Sequence, residues 1–143
     1  MNDARRGWLG LMAKADAEAL IAAAEPFAQD FEWLRKPEIG GVMVRGRMGG
    51  TGAPFNLGEM TVTRCSLRLP EGQVGHGYVQ GRNKAAAQAA ALVDALMQGD
   101  RSGDVQVAVL GPLARDAVAQ RQRRAEKAAA TKVDFFTMVR GED

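Results

Sequence analysis

Residues 60–69 alternate without a break. Thr61, Thr63, Cys65, Leu67 and Leu69 fall on one side of an extended chain, and Met60, Val62, Arg64, Ser66 and Arg68 on the other. That period of two belongs to a β-strand with one face buried. Pro70-Glu71-Gly72 then supplies a turn, and residues 74–80 a return strand. Immediately afterwards the period lengthens. Ala85, Ala89, Leu92 and Leu96 form one helical stripe, widened by Ala86, Val93 and Met97. A hairpin followed by a helix whose contact face is mostly alanine can bury both apolar surfaces by laying the helix closely on the sheet, with the leucines filling what the alanines leave. Gly99 is expected to end this helix in the left-handed conformation.

The flanking segments fit the same plan. Trp8, Leu11, Met12, Ala19, Leu20 and Ala23 recur at helical spacing over residues 3–25, with a break near Lys14 and Asp16 placed to cap a second helix. Pro26 stops the pattern. From residue 31 to residue 81 glycine and β-branched residues rise, and Val42 and Val44 alternate with Met43 and Arg45, which predicts further antiparallel strand. Residues 105–110 are compatible with strand or loop. Helix is expected again from Leu113. The fold class is therefore α+β: an antiparallel sheet of about four strands packed with helices, with helical N- and C-terminal extensions. We divide the chain into an α+β core domain, residues 1–111, and a basic helix with a hydrophobic arm, residues 112–143.

Charge and rare residues exclude several functions. Lys plus Arg number 19 and Asp plus Glu 17, a balance of +2 that is too small to argue for nucleic acid as partner. One cysteine, Cys65, rules out an internal disulfide, and with the single His76 it cannot build a Cys/His metal cluster. No stretch approaches the ~20 apolar residues of a membrane span and no signal-peptide pattern opens the sequence, so a cytoplasmic protein without membrane contact is expected.

Few motifs invite chemistry. The glycine run at residues 46–52 lacks the Gly-Lys-Ser/Thr of a phosphate loop and leads towards strand, so a tight connection within the sheet is the expected role, with anion contact through Arg47 the alternative. His76 lies between Gly75 and Gly77 with no acid nearby in sequence and is expected on a strand face. Cys65 is expected to be buried and inert, and Asp94 to be solvated or to cap. Arg45, Arg47, Arg64, Arg68 and Arg82 are more suggestive as a set. If the strand faces coincide, their guanidinium groups would gather to hold a phosphate or carboxylate bidentately; otherwise they form an exposed face or pair with another subunit. Arg47, Arg64 and Arg82 are the candidate substrate-binding residues.

The C-terminal stretch carries the sharper physical argument. Residues 115–132 hold six basic side chains against Asp116 and Glu126, a local charge of +4, and their apolar content is Val118 plus alanines. Phe135, Phe136, Met138 and Val139 follow. Burying one phenylalanine contributes roughly 1.5–3 kcal/mol, so leaving these residues in water forgoes several such contributions. The arm either folds back on its own domain or docks on another chain. The thin amphipathicity of the preceding helix favours the second, and Phe135, Phe136, Met138, Val139 and Arg140 are the candidate partner-binding residues. An arm-swapped homodimer of the isolated chain is a further possibility.

Several runs in this order resemble one family: Arg-Met-Gly-Gly-Thr-Gly at 47–52, Gly-Glu-Met-Thr-Val-Thr-Arg at 58–64, Val-Gln-Gly-Arg at 79–82 with Lys84, Asp-Ala-Leu-Met-Gln at 94–98, and Val-Asp-Phe-Phe-Thr-Met-Val-Arg-Gly at 133–141. Together they look like the PhnG family, the G subunits of the bacterial carbon–phosphorus lyase core complex. The resemblance implies an assembly with H, I and J subunits for alkylphosphonate breakdown. It also implies a requirement, with the H, I and L subunits, for transfer of ribose 5-triphosphate from MgATP to methylphosphonate with release of adenine. MgATP would be a substrate of the complex, with no cofactor bound by this chain. The resemblance carries no catalytic residue and no metal ligand onto this sequence. It implies a non-catalytic scaffold subunit; the alternative is that its arginines contribute to the triphosphate- or phosphonate-binding surface.

Overall fold

The computed structural model describes the backbone of residues 2–47 and 54–141 and the side chains of residues 2–46 and 57–132. Helix α1 (Asp3–Ala13) starts where the Asn2 side chain accepts the Arg5 N–H at 2.7 Å. Helix α2 (Ala17–Ala24) starts on the expected cap, Asp16 accepting from the Ala19 N–H at 3.0 Å. A short 3₁₀ turn, Glu25–Phe27, holds Pro26 at its first turn, where a missing N–H costs little. Strands β1 (Glu32–Arg47), β2 (Pro54–Arg68) and β3 (Val74–Gln80) form one antiparallel sheet in the order β1-β2-β3. Helix α3 (Lys84–Leu96) follows with Asn83 capping the Ala86 N–H. A short α4 (Ser102–Val105) runs through a π-helical turn, Gln106–Leu110, into α5 (Gly111–Gly141). The chain divides into two compact units, Met1–Leu113 and Ala114–Asp143.

The sheet has three strands among the described residues, where the sequence suggested about four. The missing candidate is residues 105–110, which are helical. Val105, Val107 and Val109 alternate like a strand, but Val105 and Val109 are buried while Val107 is 77% exposed. A strand would put all three on one side; a helix puts residues four apart on one face and the residue between them on another. Gly111 alone separates the π turn from Pro112, whose ring and missing N–H disturb ordinary α-helical bonding to the preceding turn.

Alternation is realised from Thr63 onward: Thr63, Cys65, Leu67 and, just past β2, Leu69 are buried, while Arg64 and Arg68 are exposed. Val62, expected on the side of the arginines, is buried as well and breaks the pattern. The buried face meets α3, and the two elements come unusually close. A Cβ placed on Gly75 would lie 1.9 Å from the Ala91 carbonyl oxygen, and one on Gly77 would lie 2.0 Å from that of Ala87. Glycine in β3 and alanine in α3 are thus two halves of one requirement, a helix backbone resting on a strand backbone. Leu67, Leu92, Val93 and Leu96 fill the space around this seam, with Met12 from α1, Leu20 from α2 and Val109 from the π turn completing the core.

Gly99 does not take the left-handed conformation. Among the described residues the glycines with positive φ are Gly58, Gly72 and Gly81. The chain instead turns onward into α4, and a Cβ on Gly99 would stand 3.0 Å from Gln73 Nε2. Its small size serves a close approach rather than a helix cap.

Candidate functional site

The face of the sheet turned away from α3 carries a polar array set by register. Glu32 pairs with Arg68, Arg35 with Ser66 and Glu38 with Arg64, while across β3 Ser66 pairs with His76 and Arg64 with Tyr78. Directly opposed side chains in an antiparallel pair have Cβ atoms about 4.5–5.5 Å apart. Arg35, Ser66 and His76 therefore form one row across all three strands, and Glu38, Arg64 and Tyr78 the next. Ser66 Oγ lies 2.8 Å from His76 Nδ1. Arg68 forms an ion pair with Glu32, both largely exposed, an arrangement that contributes little to stability. Two irregularities flank Arg35: β1 advances from Trp33 to Glu38 while β2 advances only from Leu67 to Arg64, so β1 carries two extra residues here. Pro37 sits in this stretch, where a bulge tolerates its missing N–H.

The first residues of β3 meet side chains on their outer edge. Asp94 of α3 is fully buried, contrary to the solvated or capping role its sequence position suggested. Arg5 donates to it twice, Nε to Oδ1 at 3.0 Å and Nη2 to Oδ2 at 2.8 Å, Trp8 Nε1 donates to Oδ1 at 2.8 Å, and the His76 backbone N–H donates to Oδ2 at 2.8 Å. Four charge-assisted bonds satisfy both oxygens, which is what allows a carboxylate at this depth. The contact raises the Arg5 guanidinium above its ordinary range, the hydrogen bond to Asp94 being the main cause. Gln98, one helical turn on, donates to the Val74 carbonyl at 2.8 Å, and Arg5 Nη2 reaches the same oxygen at 3.4 Å. The Asp-Ala-Leu-Met-Gln run at 94–98 thus presents its two polar ends to the outer hydrogen-bonding groups of an edge strand.

The residues singled out from sequence are distributed as follows. Arg64 is exposed on the outer sheet face, and Arg82 is exposed just after β3. Arg47 pairs with Pro54, ten positions along β2 from Arg64 and on the order of 30 Å away measured along a strand. The register thus puts Arg47 and Arg64 on different stretches of the hairpin. Arg45 pairs with Asn56, near Arg47. Cys65 is buried as expected, and burial pushes its thiol up to about 11. Residues 48–52 of the glycine run lie outside the described residues, as do the side chains of Phe135, Phe136, Met138, Val139 and Arg140, whose backbone belongs to α5.

One surface escaped the sequence reading. β3 pairs only with Val62–Arg68 of β2, so the rest of the β1–β2 hairpin continues as a two-stranded ribbon. Met43 and Leu57 are exposed on it, at 54% and 61%, and Ile39, at the level where β3 still pairs with β2, is exposed at 43%. A two-stranded ribbon is at best marginally stable alone, and apolar side chains left bare on one mark a contact surface. The alternation of 42–45 signalled the strand, but only the short β3 shows that its apolar positions lack a cover.

Described by itself, the second unit is exposed along most of its described length, with Ala117 and Ala119 half-buried. Gln120, Arg123, Arg124 and Lys127 line one shallow depression, and Ala114, Arg115, Val118, Ala119 and Gln122 another. The helix therefore has a cationic side and a small apolar side. Among the described residues no helix is long and apolar enough to cross a membrane, and no group of three or more His, Cys, Asp or Glu side chains is placed to hold a metal ion.

The family model described as phosphonate metabolism protein PhnG matches residues 3–141. The alpha-D-ribose 1-methylphosphonate 5-triphosphate synthase subunit PhnG of Rhizobium meliloti (strain 1021) is 47% identical over 141 residues, spanning 97% of this chain and 90% of the relative.

Proposed function

Because the chain belongs to the PhnG family of phosphonate metabolism proteins, we propose that it is a non-catalytic assembly subunit of a cytoplasmic carbon–phosphorus lyase core complex. It joins H, I and J subunits, and with the H, I and L subunits it is required for transfer of ribose 5-triphosphate from MgATP to methylphosphonate, adenine leaving. The observation that carries this reading is the near-full-length identity to a relative whose own name makes it a synthase subunit. Two features support an assembly role. The bare ribbon leaves Met43 and Leu57 in solvent, and contact with another chain would remove that apolar area from water. A helix with cationic residues leads to the apolar sequence Phe135, Phe136, Met138, Val139 before Arg140.

Co-expression with H, I and J subunits followed by size determination tests the assembly. The expected result is a stable complex containing this chain. Adenine release from MgATP and methylphosphonate tests the rest: the purified chain alone releases none, and measurable release by it would overturn the non-catalytic assignment.

A further inference from the structure

We propose that the outer sheet face around Ser66 and His76 is a binding site for a tetrahedral phosphoryl-type dianion, with Arg35 and Arg64 as its cationic walls. The inference rests on strand register and hydrogen bonding alone, and it stands or falls independently of the assembly role. Arg35 is directly opposite Ser66 on one side, His76 directly opposite on the other, and Arg64 lies two residues along β2 on the same face. The arginines, His76 and Tyr78 are exposed and Ser66 is half-buried, so ligand can reach all of them.

The Ser66–His76 pair supplies a neutral donor whichever way its proton lies. If Nδ1 accepts from the Ser66 hydroxyl, Nε2 carries the ring hydrogen and presents it outward. If Nδ1 donates to Ser66 Oγ, the hydroxyl hydrogen is released to point at a ligand. Two guanidinium groups beside such a donor match the geometry of a phosphate, each offering paired N–H groups to paired oxygens.

The neighbouring carboxylates offset part of this charge and leave one net positive charge, Arg35, Arg64 and Arg68 against Glu32 and Glu38. Glu32 is engaged by Arg68. Glu38 lies opposite Arg64, yet the ion pairs among the described residues are only Arg5–Asp94 and Arg68–Glu32. The two extra residues of β1 around Arg35 supply an independent sign. Such irregularities re-aim side chains on a sheet and recur beside functional sites.

The test is titration of the full-length chain with inorganic phosphate, and separately with ATP, at fixed ionic strength, following the His76 imidazole resonances by NMR. Saturable shifts with either ligand are expected, and the tighter of the two identifies a free or a nucleotide-borne phosphoryl group as the source. Arg35→Gln and Arg64→Gln should each weaken binding about tenfold, the loss of one charge-assisted contact, and Arg115→Gln on α5 should leave it unchanged. Circular dichroism checks that each variant folds; Arg35→Lys and Arg64→Lys serve if a glutamine variant does not. Equal shifts with chloride at matched ionic strength, absence of saturation, or undiminished affinity in both arginine variants would each overturn the site.

Discussion

Arg5 and Asp94 are 89 residues apart in sequence and joined by two hydrogen bonds, one to each carboxylate oxygen. The pair ties α1 to α3 at the edge of β3, and Asp94 is the buried charge on which Arg5, Trp8 and His76 all depend. Removing one partner of such an arrangement leaves the others facing an apolar interior. Asp94→Ala should therefore destabilise the fold by about 3–5 kcal/mol, with Asp94→Asn less severe because one acceptor oxygen remains. Urea denaturation of the two variants measures both.

The seam between β3 and α3 should reject even one methyl group. Gly75→Ala places its Cβ against the Ala91 backbone, which cannot move without lifting the helix, and should cost about 1–3 kcal/mol or more. Gly10→Ala in exposed α1 meets nothing within 4 Å and should stabilise by roughly 0.5–1 kcal/mol, because alanine loses less chain entropy in a helix. Thermal unfolding of the two variants should move in opposite directions.

Cys65 makes stability depend on alkaline pH. Its thiol is raised from 9.0 to about 11 in the folded protein, so the folded state holds its proton where the unfolded chain releases it. This contribution is complete below pH 9 and is lost as pH rises from 9 to about 11. Cys65→Ala should flatten the stability profile in that window. At pH 8 a thiol reagent should label the folded protein only as fast as it unfolds.

The arm prediction concerns assembly rather than folding. Phe135→Ala combined with Phe136→Ala should weaken co-purification with the I or J subunit and leave the melting temperature of the core domain unchanged. Unaltered co-purification would reject these residues as the docking arm.

Legibility in the sequence followed the range of the interaction. The strand at 60–69 and the helix at 84–98 were readable because a residue's burial there is set by its immediate period. Residues 105–110 misled because valines two apart satisfy a strand pattern while valines four apart satisfy a helical one. Asp94 misled for a different reason: its partners Arg5 and Trp8 lie 89 and 86 residues away, and nothing in the helix itself signals them. The row Arg35, Ser66, His76 was hidden in the same way, since the two extra residues in β1 shift its register against β2 and no local pattern announces them. The grouping of Arg47 with Arg64 assumed that arginines on neighbouring strands are neighbours in space, which a long hairpin does not grant.

The plugged margin of β3 also limits how the molecule can grow. Its outward peptide groups at Val74 and His76 are taken by Arg5, Gln98 and Asp94, so a further strand cannot lie against the start of β3 without breaking the buried Asp94 cluster. Backbone pairing with another chain is left to β1 and to the stretch of β2 before Val62, which β3 does not cover.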